Sequence, residues 1–99
     1  MIPEIPEGMW CQKAAARNRK GDAVEPMGNK ACKWCLDGWI TRTLAGLNNG
    51  YWTALDALTG ALDGFDAFEV ATWNDAKGRT IHEVNALIRK ANDILAVRK

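Results

Sequence analysis

Serine is absent from this 99-residue chain, which holds one histidine and one tyrosine. A Ser-His-Asp hydrolase is thereby excluded, and general acid–base chemistry has few groups to draw on. No Gly-Lys-Thr or Gly-x-Gly-x-x-Gly run occurs, and Gly60, Gly64 and Gly78 fall at separate turns, so nothing in the sequence cradles a phosphate. No apolar run approaches the ~20 residues of a membrane-spanning helix, so no membrane partner is expected. The opening Met1-Ile2-Pro3-Glu4-Ile5-Pro6-Glu7 has neither the basic head nor the apolar stretch of a signal peptide. A cytoplasmic location follows as an expectation, and with it reduced thiols for the three cysteines.

Positive charge is also missing where it would be most ordinary. Between Thr43 and Ala76 there is no Lys or Arg, while Asp56, Asp63, Asp66, Glu69 and Asp75 all fall there. The flanks carry the opposite balance: Lys13, Arg17, Arg19, Lys20, Lys30 and Lys33 before it, and Lys77, Arg79, Arg89, Lys90, Arg98 and Lys99 after it. Pairing of the basic flanks with the acidic middle in three dimensions accounts for this most simply. The sharper alternative is an acidic face offered to a basic partner.

What is present is enough apolar material, 47% of residues, for one domain of ordinary globular composition. Residues 1–8 read as a flexible lead-in. Residues 9–18 suggest a short helix or one arm of a hairpin, followed by the turn Arg19-Lys20-Gly21-Asp22 and an extended Ala23-Val24-Glu25-Pro26. From about residue 29 to 47, Cys32, Cys35, Leu36, Trp39, Ile40, Thr43 and Leu47 recur mostly at helical intervals until Asn48-Asn49-Gly50. A second helix is expected over 51–63, with Tyr51, Leu55, Leu58 and Leu62 on one stripe and Gly64 as a left-handed end. Phe68 and Val70 alternate with Glu69 and Ala71, which suggests an extended link over 65–80. Thr80-x-x-Glu83 then reads as a capping box for a helix over 81–97, whose apolar stripe is Ile81, Val84, Leu87, Ile88, Ala91, Ile94 and Leu95. The fold class expected is therefore mostly α.

Four residues could in principle ligate zinc: Cys11, Cys32, Cys35 and His82. A second closely spaced pair is missing, however, and Cys32 and Cys35 lie on the inward stripe of the helix drawn above, so core packing is the stronger reading. No cofactor is expected. A Cys35–His82 nucleophilic pair has only the uniqueness of the histidine behind it, and His82 at the second position of a helix has a plain structural slot. Five tryptophans are many for this length. Trp34 falls on a helical face shared with Gly38 and Ala45, so either another element packs closely there or Trp34 is an exposed anchor for a partner. Lys13, Arg17, Lys30 and Lys33 beside Trp34 suggest a nucleic-acid-binding alternative.

Several blocks of residues carry a resemblance. Trp10-Cys11-Gln12-x-Ala14-Ala15-Ala16-Arg17, Gly21-x-x-Val24-x-Pro26, Ala31-x-x-Trp34-Cys35-Leu36-x-Gly38 and Trp73-Asn74-Asp75-x-x-Gly78-Arg79-Thr80-x-x-Glu83-Val84 together resemble a family of small uncharacterised proteins of bacteria and their phages. Members usually add a helix before the Trp-Cys-Gln element and have Gly-Ala-Leu where this chain has Gly38-Trp39-Ile40. The resemblance implies a mostly helical fold and a phage or bacterial setting, and no activity. Taken with the scarcity of catalytic groups, the expectation is a non-enzymatic protein that docks on a host protein or protein–nucleic acid complex, such as a component of bacterial immunity. Asp56, Asp63, Asp66, Glu69 and Trp34 are its expected contact residues. A zinc-stabilised nucleic-acid module and a small Cys/His enzyme are the alternatives.

Overall fold

The computed structural model describes residues 1–62 and 67–97. Three two-residue strands, β1 (Ala16–Arg17), β2 (Ala23–Val24) and β3 (Lys33–Trp34), precede four helices, α1 (Leu36–Leu44), α2 (Gly50–Ala61), α3 (Ala67–Asn74) and α4 (Ile81–Val97). About half the chain is helical, so the expected mostly-α class gives way to four helices plus a small antiparallel sheet of order β2-β1-β3. The radius of gyration, 12.7 Å, matches the ~13 Å of a compact domain of about 100 residues.

The hairpin alternative holds for the N-terminal region, and the short helix over 9–18 does not form. Ala16 pairs with Val24 and Trp34, and Arg17 with Ala23 and Lys33. Asn18 shapes the connection, its side chain accepting from the amides of Lys20 and Asp22, while Gly21 takes φ +89°. Trp10 forms a parallel bridge with Trp34, with the Trp34 amide donating to the Met9 carbonyl.

The helix drawn from 29 to 47 shrinks to Leu36–Leu44, because its first third is used for sheet pairing. Cys32, Cys35 and Leu36 fit a helical interval equally well as a strand followed by a helix start, and β1 decides between them. Cys35 is the N-cap of α1, in an extended conformation, its sulfur accepting from the Gly38 amide at 3.3 Å. Leu36, Trp39, Ile40 and Leu44 still face inward. Asn49, left-handed at φ 56°, turns the chain into α2.

The extended link expected over 65–80 is overturned by α3. An alternation over four residues is too short to separate strand from helix, and the helix places Val70 and Asn74, four apart, on one fully buried face. Asp63 to Asp66, including the expected Gly64 end, lie outside the described residues. α4 follows the sequence closely. Its capping box is formed, the Glu83 amide donating to Thr80 Oγ1 at 3.2 Å and the Thr80 amide to Glu83 Oε1 at 3.0 Å. Arg79 reaches back to the preceding turn, donating to the Trp73 carbonyl at 2.9 Å with its guanidinium 4.0 Å from the Trp73 ring centroid.

The core lies between α1, α2 and α4, with Val70 of α3 closing one side. Residues 1–8, expected as a flexible lead-in, instead run along α4 with Ile2 and Ile5 buried. No helix among the described residues is long and apolar enough to cross a membrane.

Gly38 is where sheet and helices meet. A Cβ built there would lie 1.8 Å from the carbonyl oxygen of Ala15, a backbone atom held by its own acceptance from the Cys35 amide. Close packing is thus found at Gly38, but Trp34 lies in β3 and Ala45 is exposed, so the three do not share the helical face expected from the sequence. Gly38→Ala is expected to destabilise the protein by about 3 kcal/mol or to abolish folding, since overpacking against backbone has little room to relax. Thermal unfolding followed by circular dichroism measures this, and a change below about 1 kcal/mol would contradict the packing described.

Candidate functional site

The chemistry-bearing side chains gather where α1 begins and α3 ends. Cys35, Asp37, Asn74 and Asp75, with Ala14, Ala15 and Ala71, line a cleft of about 200 Å³. Asn74, 1% exposed, is the buried polar residue at its base. Its Oδ1 accepts from Trp10 Nε1 at 2.7 Å and from the Leu36 amide at 3.1 Å, while its Nδ2 donates to the Cys11 carbonyl at 3.3 Å and to Asp75 Oδ1 at 3.0 Å. Both lone pairs and both N–H groups are used. Gln12 Nε2 donates to the Asn74 and Ala76 carbonyls, and Asp75 Oδ1 also accepts from the Lys13 amide.

Nothing here activates a nucleophile. Burial pushes the Cys35 thiol up from its ordinary 9.0 to about 11, against the opposing hydrogen bond from the Gly38 amide. Burial raises Cys11 as well, outweighing the attraction of Arg17, and its thiol donates to the Ala14 carbonyl. Tyr51 donates to Asp37 Oδ1 at 2.5 Å, and burial together with that bond pushes its phenol to about 12. Thiols and phenol are therefore protonated near neutral pH and committed to structural contacts.

The four expected zinc ligands are not brought together. Cys11 and Cys35 are buried, Cys32 is half-buried before β3, and His82 is exposed on the first turn of α4. Among the described residues no group of three or more His, Cys, Asp and Glu is placed to hold a metal ion. The Cys35–His82 pair finds no support for the same reason.

Trp34, expected as a contact residue, is 5% exposed. Its indole donates to the Pro26 carbonyl, its ring packs edge-on against Trp39 at 5.6 Å, and Arg42 lies 5.4 Å from its centroid. Asp56 is exposed on α2 and Glu69 is half-buried on α3, while Asp63 and Asp66 lie outside the described residues. Of the basic set, Lys13, Lys30 and Lys33 are exposed, whereas Arg17 donates to the carbonyls of Gly21 and Gln12.

Sequence reasoning missed the surface tryptophan. Trp52 is 68% exposed on the first turn of α2, its ring edge-on to Tyr51 at 5.0 Å. Leu47, 60% exposed, stands across a groove of about 400 Å³ also lined by Thr41, Ala45 and Asn49. The signal was available: Trp52 falls off the Tyr51-Leu55-Leu58-Leu62 stripe, and Leu47 lies at the Asn48-Asn49-Gly50 stop.

The raised thiol and phenol values fix a pH dependence. A group held protonated by the fold contributes stability below its unfolded value and loses it as pH rises through its folded value. Stability is expected to fall between the ordinary 9.0 of a thiol and the value of about 11 at Cys35, and further between 10.0 and about 12 through Tyr51. Urea midpoints measured from pH 8 to 11.5 should decline, and the decline should be shallower in Cys35→Ala and Tyr51→Phe. Equal slopes in all three proteins would refute the assignment.

Comparison with known proteins gives no match among curated proteins or solved structures. A family model described as a family of unknown function, DUF6197, matches residues 4–94. The match spans the sheet, α1 to α3 and α4 as far as Ile94, and the chain belongs to the DUF6197 family.

Proposed function

We propose that this chain is a non-enzymatic protein-binding accessory protein, and that it docks through the outer face of the α1–α2 corner. The observation that carries this reading is Trp52, a large aromatic left 68% exposed with Leu47 beside it at 60%. Asp56 lies one helical turn beyond Trp52 and is also exposed. This face belongs to the stretch of sequence without Lys or Arg. A partner that presents Arg or Lys next to an apolar side chain fits it: the cation stacks on the indole and meets Asp56, while the apolar group enters the groove beside Leu47. Basic surfaces of that kind are typical of proteins that otherwise hold nucleic acid, which keeps a host protein–nucleic acid complex, such as one of bacterial immunity, as the proposed target. The setting proposed with it is the cytoplasm of a bacterium, with a phage or bacterial gene as the source.

A nucleic-acid reading has one observation in its favour. Arg19, Lys20 and Lys30 line a cleft of about 490 Å³ at the end of the hairpin, with Asp22 the only acidic side chain among its lining. Against it stands the burial of Trp34, which leaves that cleft without a stacking ring among its lining residues.

Affinity capture from nuclease-treated bacterial lysate separates the two. Wild-type protein is expected to retain a defined protein partner, and Trp52→Ala with Asp56→Lys to lose it about tenfold or more, as for a central aromatic anchor. Capture that survives both substitutions, or that vanishes on nuclease treatment alone, would overturn the proposed face.

A further inference from the structure

Residues 2–5 sit on α4 as a bound peptide does. Asn92 Oδ1 accepts from the Ile2 amide at 2.8 Å, and its Nδ2 donates to the Ile2 carbonyl at 2.9 Å. Asn85 repeats the same two-way clasp on Ile5, at 2.8 and 2.9 Å. The spacing makes this possible. Two residues seven apart on a helix are separated by about 10.5 Å along its axis, and two residues three apart on an extended chain by about 10 Å.

Side chains complete the recognition. Ile2 and Ile5 are each 2% exposed. Between them, the Pro3 carbonyl accepts from Trp39 Nε1 at 2.7 Å, and Glu4 pairs with Arg89 at 2.9 Å on the open side. Pro3 and Pro6 restrict the backbone before binding, which lowers the entropy lost on ordering. A turn joins this segment to the body, the Met9 amide donating to the Pro6 carbonyl with Gly8 at φ +84°.

We infer that the Asn85–Asn92 face of α4 is a recognition groove for extended peptides of the pattern Ile-Pro-acidic-Ile, and that its exchange partner is the same segment of a second copy of this chain. Every polar contact to the segment except that of Glu4 is made to its backbone, so the groove reads shape and the two isoleucines rather than the identity of the chain that supplies them. An identical segment from another molecule makes identical contacts, which is the requirement for exchange between copies. Ile2 and Leu47 line one pocket, so the groove adjoins the docking corner; the clasp residues Asn85 and Asn92 lie on α4 and Trp52 and Asp56 on α2, so substitutions at each pair test the two readings apart.

The test uses the full chain carrying Ile2→Ala and Ile5→Ala, which vacates the groove, and a fluorescent synthetic peptide with the sequence of residues 1–7. Anisotropy is expected to show binding to this variant at least about tenfold tighter than to wild type, whose own segment competes at high effective concentration. Adding Asn85→Ala and Asn92→Ala should weaken binding by about tenfold or more, and a peptide with Glu in place of both isoleucines should not bind. Equal affinity for vacated and occupied grooves, or indifference to the asparagines, would overturn the groove. If the vacated variant does not fold, wild type decides alone: tagged and untagged copies mixed at high concentration should co-purify, and excess peptide should prevent it. Failure to co-purify, or co-purification that the peptide leaves unchanged, would overturn the exchange.

Discussion

The buried carboxamide of Asn74 is the central link between the sheet region and the helices. Asn74, at the end of α3, accepts from the first amide of α1, accepts from the indole of Trp10 and donates to the carbonyl of Cys11. The Leu36 amide is one of the donors that a helix leaves without an internal partner at its start. Three chain segments far apart in sequence thus meet on three hydrogen bonds inside a buried site, where an unmade bond costs far more than a made one contributes. The crossing of the hairpin over Gly38, the capping of α1 by Cys35 and the clasp of Gln12 on the Asn74 and Ala76 carbonyls are grouped around that junction.

The same junction accounts for where the two buried thiols lie. Cys11 and Cys35 flank the junction, and burial there holds both thiols protonated. The tyrosine is committed to Asp37, and the histidine stands exposed on α4. Among the large apolar side chains left outward, Trp52 and Leu47 share one corner, with Asp56 one turn from Trp52. The binding role proposed above rests on that exposed corner.

Legibility in the sequence followed the length of the pattern. α4 and its capping box could be read residue by residue, because seventeen residues of helical periodicity start at a motif with a local mechanism. α2 was legible for the same reason up to Leu62. The strands were not, since two residues carry no period, and Cys32 to Leu36 satisfied a helix until the pairing with β1 was known. α3 hid behind a four-residue alternation. At the site, Asn74 was visible only as turn chemistry; its role as an interior partner depends on contacts 38 to 64 residues away, which no local pattern encodes. The blocks that carry the family resemblance are largely those that build this junction, from Trp10 and Gln12 through Leu36 and Gly38 to Asn74 and Arg79.

Denaturant unfolding of Asn74→Asp at neutral pH tests the junction most directly. The substitution preserves size while turning the donor to Cys11 into an acceptor and placing a second carboxylate against Asp75. If Asn74 joins the two halves as described, stability should fall by about 3 kcal/mol or more, or the chain should fail to fold. A loss below about 1 kcal/mol, with the midpoint almost unmoved, would contradict it.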